Sequence, residues 1–150
     1  MYTAFHYRLY YTYQNKVRKT SALTTAVAFS FNNKEDFMPF INTKTTATIG
    51  SSTKDTLTAE ITNITHECLG KGENWIMVGF EDNSSLSFQK NTADIAYVEV
   101  KTFGTPSSTG AGQMTAKLTS LFARELSISP DRIYVAYFST DKWGWNGNNL

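Results

Sequence analysis

One cysteine, two histidines and three prolines stand among the 150 residues. With Cys68 alone, no disulfide can form within the chain, and a reducing compartment is the easier reading. His66 lies in "THECLG" beside Glu67 and Cys68, and adjacent positions on a helix point apart, so that trio makes no metal site. The other histidine, His6, sits in a segment of different composition, so histidine-based catalysis is not expected. No apolar run approaches the length that spans a membrane. A net charge of +1 argues against nucleic acid as a partner. "GAGQMT" lacks the third glycine and the lysine of a phosphate loop.

Acidic residues are missing from the first 34 positions, which hold scattered Lys/Arg, many Ser/Thr and five of the eight tyrosines. Residues 1–37 carry five basic residues against Glu35 and Asp36, or +3, while 38–150 carry nine against eleven, or −2. The first segment reads either as translated sequence upstream of a mispredicted start or as a removable leader of the organellar type. It has no compact apolar core ahead of a small-residue cleavage site, so a secretory signal is not expected. Residues 38–150 form one domain, and the full chain length is enough to bury roughly two-thirds of its unfolded surface.

That domain divides cleanly. "PFINTK" predicts a short strand, with Phe40 on one face and Ile41 on the other. "IGSST" predicts a loop with Ser51 or Ser52 capping a helix from about Lys54 to Leu69. Its stripe is Leu57, Ile61, Ile64 and Cys68, and Gly70 ends it. "NWIMVGF" predicts a buried strand and "LSF" a short one after a turn. "IAYVEVKTF" alternates as a strand, "GTPSSTGAG" reads as a loop, and Gln113 to Leu126 predicts a helix bearing Met114, Leu118, Leu121, Phe122 and Leu126. "RIYVAYF" is the last long strand.

The halves align at an offset of 57, which sets Leu69 on Leu126, Ile76 on Ile133, Val78 on Val135 and Phe80 on Tyr137. The expectation is an α+β fold: two repeated β-α-β units forming a four-stranded sheet with both helices on one face. "WIMVGF" and "YVAYF" are apolar at nearly every position, so the uncovered face calls for another chain packed sheet against sheet.

Three places could carry chemistry. Pro39 inside a chain has a tertiary amide nitrogen; as a first residue it is a secondary amine. An α-amine titrates near pH ~8, lower still among apolar groups, which suits a general base. The alternative is a strand-edge proline. Lys71, in "LGKGEN", is either a site cation or a complement to the helix C-terminus. Trp143 and Trp145 flank a glycine in a polar tail, where tryptophans line pockets or interfaces. Tyr134 and Tyr137 lie on the adjoining strand, and a buried tyrosine hydroxyl needs a partner.

Together "MPFINTK", "LGKGENWIMVGF", "YVEVKTFG", "ISPDRIYVAYF" and "WGWNGNNL" resemble the macrophage migration inhibitory factor family of the tautomerase superfamily, from Met38 to Leu150. The resemblance implies a trimer whose sheets surround a central channel, and a cofactor-free keto–enol tautomerase of phenylpyruvate-like acids. It implies that Pro39, exposed by removal of Met38, is the catalytic base. Lys71 then holds the substrate's oxygens, Phe103 offers a backbone contact, Tyr134 is contributed by a neighbouring subunit, and Trp143 and Trp145 stand at the pocket mouth. Ala136 replaces a substrate-contacting asparagine of many animal members. The family's Cys-x-x-Cys falls on Ile95 to Val98, so no thiol–disulfide activity is expected. The competing expectations are a non-catalytic cytokine-like protein with the same fold, acting on a receptor, and a generic α+β binding domain. Expected locations are the cytoplasm, release without a signal peptide, or an organelle if residues 1–37 are a transit leader.

Overall fold

The computed structural model describes residues 38–149; the segment 1–37 and Leu150 lie outside the described residues. The chain runs β1 (Phe40–Thr45), α1 (Ser51–Leu69), β2 (Met77–Glu81), β3 (Ala96–Phe103), α2 (Ser108–Leu126), β4 (Ile133–Thr140), then two short strands, β5 (Gly144–Trp145) and β6 (Asn148–Asn149). The main sheet has the order β2-β1-β3-β4. β1 and β2 are parallel, as are β3 and β4, and the two pairs meet antiparallel along β1 and β3.

The repeat is carried by the backbone. Adding 57 to the bounds of α1 gives Ser108–Leu126, the bounds of α2, and adding it to the 3-10 turn Glu73–Trp75 gives the turn Pro130–Arg132. The pairing Phe40↔Met77 becomes Tyr97↔Tyr134. Ile41↔Val100 and Thr43↔Val98 exchange with each other under the same shift, and Asn42↔Glu99 maps onto itself. A pseudo-twofold axis therefore passes between Asn42 and Glu99.

Alternation along the strands sends Ile41, Val98 and Val100 to the helix side, where all three are fully buried. Leu57, Ile61 and Ile64 from α1 and Met114, Leu118, Leu121 and Phe122 from α2 close over them, with Cys68 and Leu126 at the margin. Both predicted apolar stripes thus form the core. Burying such side chains stabilises the fold by about 1.5–3 kcal/mol each. Tyr137 reaches the same side, and its hydroxyl donates to the Ala111 carbonyl at 2.8 Å with Thr115 Oγ1 at 3.0 Å. Burial pushes its phenol pKa up, against the Thr115 contact.

Several local expectations are corrected. The first helix starts at Ser51, with Gly50 at the cap position and no side-chain cap, so neither Ser51 nor Ser52 caps it. The second starts at Ser108 inside the stretch read as a loop, because the Ser107 hydroxyl accepts from the Gly110 N–H at 3.0 Å and nucleates the turn there. "LSF" forms no strand; Phe88 makes one isolated bridge, to Asn91. Asn74 and Trp75 belong to the 3-10 turn, and the strand after them begins with an exposed Met77.

The face away from the helices is mixed rather than apolar throughout. Its rows are Met77–Phe40–Lys101–Phe138, then Gly79–Asn42–Glu99–Ala136, then Glu81–Lys44–Tyr97–Tyr134. Lys101 pairs with Glu99 at 2.9 Å, and Asn42 donates to Glu81 at 2.6 Å. Aromatic rings in both outer rows thus stand beside charged side chains, and the middle row is small or polar.

Carboxylates also tie the periphery. Asp82 accepts from Lys54 Nζ at 2.8 Å and from the Ile49 N–H at 3.2 Å, joining the start of α1 to the segment after β2. The Lys54 bond holds its pKa below the ordinary 3.8, and the Lys101 bond holds Glu99 below 4.5. A depressed folded pKa contributes stability above the unfolded value and loses it as pH falls through the folded one. Stability should therefore be level above about pH 5 and decline below about pH 4. Denaturant midpoints measured across that range check this, and Lys54→Met should make the acid decline shallower.

Candidate functional site

Pro39 stands at the entrance to β1 and is buried. Its carbonyl accepts from the Met77 N–H at 2.9 Å, which fastens it to the start of β2. Met38 before it has φ +59°, a left-handed conformation that costs an L residue about 1–2 kcal/mol. Around Pro39 opens a cleft of about 370 Å³ lined by Met38, Phe40, Asn74, Trp75, Ile76, Met77, Trp143 and Trp145. All three tryptophans of the chain converge there.

Trp145 is delivered by a tight hairpin. Asn146 (φ +49°) and Gly147 (φ +79°) form the two-residue loop between β5 and β6, where the left-handed pair matches strand twist. The Trp145 ring meets Trp75 edge to face, centroids 5.1 Å apart at 88°. Trp75 was not singled out from the sequence, since in "GENWIMVGF" it reads as one more strand residue. The available signal was the repeat: Trp75 aligns with Arg132, so the position departs from the other half.

Lys71 follows the left-handed Gly70 that ends α1, and is 7% exposed. His66 Nδ1–H donates to the Lys71 carbonyl at 2.7 Å and holds the turn. The ammonium then reaches back to donate to the Phe103 carbonyl at 3.2 Å. Both residues line a second cavity, of about 380 Å³, between the end of α1 and the start of α2. Register relates the two cavities. Phe40 pairs with Lys101 on the antiparallel β3, so the chain reaches Phe103 alongside the entrance to β1. Pro39, Lys71 and Phe103 therefore share one end of the sheet.

Tyr134 does not join them within one chain. It lies in the Lys44 row, four residues from the Phe40 row and two strands across, or about 13 Å along and about 10 Å over. Its side chain stands 52% exposed on the face away from the helices. A tyrosine so placed can enter a Pro39 cleft only in another copy. Among the described residues no group of three or more His, Cys, Asp or Glu could hold a metal ion.

The sequence profile described as Macrophage migration inhibitory factor (MIF) matches residues 38–150. The chain belongs to the macrophage migration inhibitory factor family. A macrophage migration inhibitory factor of Meriones unguiculatus is 28% identical over 102 residues, 67% of this chain and 89% of that protein. The crystal structure of MIF2 from Leishmania major superposes with a TM-score of 0.73 at 36% identity, over 76% of this chain and 98% of that one. A homologue from Prochlorococcus marinus gives 0.66 at 27% identity, over 73% and 97%. The matched MIF domain begins at the Met-Pro pair.

Proposed function

We propose that this member of the family is a keto–enol tautomerase of phenylpyruvate-like acids, assembled as a trimer and working through a free Pro39 nitrogen once Met38 and the residues before it are removed. The observation that carries the reading is the burial of Pro39 in an apolar cleft walled by Trp75, Trp143 and Trp145. An amine in such a cleft is driven toward its neutral form, which is the form that accepts a proton. The left-handed strain at Met38 agrees with a junction that the folded domain does not need.

In this mechanism the substrate's aromatic ring packs on the tryptophans and its oxygens face the Lys71 ammonium. Pro39 takes a proton from the carbon beside the carbonyl. Negative charge moves to the carbonyl oxygen, where Lys71 and the Tyr134 hydroxyl of another copy hold it. The proton then returns to that oxygen, giving the enol with no change in atoms or electrons; the reverse sequence gives the keto acid. Three copies supply both the missing tyrosine and cover for Met77, Phe138 and the other exposed large side chains of the free sheet face. If Met38 stays attached, Pro39 keeps an amide nitrogen, and the alternative of a non-catalytic cytokine-like protein takes over.

The test is phenylpyruvate tautomerisation by protein beginning at Pro39, compared with its Lys71→Met variant. A hydrogen bond to a charged group is worth about 1.5–3 kcal/mol, so kcat/KM should fall by roughly ten-fold or more. Unchanged kcat/KM would remove Lys71 from the site.

A further inference from the structure

Phe88 lies in the segment 82–95 between β2 and β3, outside any strand. Its ring is nevertheless held from two sides. The Arg132 guanidinium carbon stands 5.4 Å from the ring centroid, and the Tyr134 ring meets it edge to face at 5.3 Å and 86°. Arg132 is itself 6% exposed and donates to the carbonyls of Asp94 at 2.9 Å, Ala93 at 2.8 Å and Phe88 at 3.5 Å. A buried guanidinium needs such acceptors, and here they all come from this one segment. Arg132 thus ties the segment to the foot of β4, two residues before Tyr134, and the segment returns an aromatic ring to Tyr134.

We infer that Phe88 is a positioning residue: clamped by Arg132, it selects the Tyr134 rotamer, so the 82–95 segment of one copy shapes the substrate site of the next. The inference rests on the reading that Tyr134 enters a neighbour's Pro39 cleft. A half-exposed tyrosine on a sheet face has several staggered rotamers open to it. An edge-to-face ring contact favours one of them by a factor of roughly 2 to 12. Binding that requires this rotamer gains the same factor in apparent affinity.

Phe88→Leu keeps an apolar side chain and removes the ring. In protein beginning at Pro39 it should lower kcat/KM for phenylpyruvate roughly three- to tenfold. In a Tyr134→Ala background it should add nothing. The Hα–Hβ three-bond couplings of Tyr134, which report its χ1 populations, should move from one dominant rotamer toward an average on Phe88→Leu, a readout independent of turnover. Equal effects on kcat/KM in both backgrounds, or Tyr134 couplings that do not move, would overturn the inference. If Tyr134→Ala leaves kcat/KM unchanged while Pro39→Gly still abolishes turnover, the inference fails but the proline base survives. If no protein turns over, the reading of the site fails, and the NMR arm alone decides whether Phe88 orients Tyr134.

Discussion

Protein that begins at Pro39 should tautomerise phenylpyruvate at least a hundred times faster than the same chain beginning at Met1, since a positioned general base contributes about 10²–10⁴-fold. The reason is bonding rather than blockage. With Met38 attached, the nitrogen's lone pair is delocalised into a carbonyl and binds no proton near neutral pH. The fold is not at issue, because β1 pairs with β2 and β3 from Phe40 onward. The two proteins should therefore share oligomeric state while differing in turnover. Pro39→Gly in the short protein separates the two effects of proline. A glycine amine is free but flexible and primary, so turnover should fall steeply with assembly intact. Equal activity with and without the first 38 residues would exclude the Pro39 nitrogen from the chemistry.

The largest stability effect is expected at Gly110, in the first turn of α2. A Cβ there would lie 2.4 Å from the Cys68 carbonyl oxygen, backbone of one helix against backbone of the other. Neither atom can rotate away, so Gly110→Ala must push the helices apart. Overpacking of this kind costs typically about 1–3 kcal/mol. Gly112, two residues on, is the internal control. Its Cβ would meet nothing within 4 Å, and the helix gains an alanine, so Gly112→Ala should stabilise by about 0.5–1 kcal/mol. Thermal melts of the two variants should move in opposite directions. A neutral Gly110→Ala would mean that the α1–α2 contact is looser than described.

How far the sequence reached depended on the kind of signal. The offset of 57 is a long-range pattern that averages over many side chains, and it predicts the repeated β-α-β unit with its two helices; that the 3-10 turns and the pseudo-twofold pairing of the sheet obey the same shift emerges only from the backbone. The helix starts were less legible. Ser108 to Gly112 reads "STGAG", with two glycines that favour a loop, and the outcome turns on one hydrogen bond from Gly110 to Ser107. That Pro39, Trp143 and Trp145 share a cleft follows from the Asn146-Gly147 hairpin, a two-residue turn signal that predicts the reversal but not where it aims. Trp75 and Phe88 were hidden because each looks ordinary in its own segment. Only tertiary contacts, with Trp145 and with Tyr134 and Arg132, give them a role. The uncovered sheet face was read as apolar from "WIMVGF" and "YVAYF", yet β1 and β3 contribute Asn42, Lys44, Glu99 and Lys101 to it. Strand composition alone does not reveal which neighbours share a face.

The proposed mechanism needs Pro39 as a free amine. It is tested most directly by the intact mass and N-terminal sequence of the protein isolated from its own cells. The expected result is a chain that begins at Pro39. A chain that begins at Met1, or that retains Met38, would contradict the account.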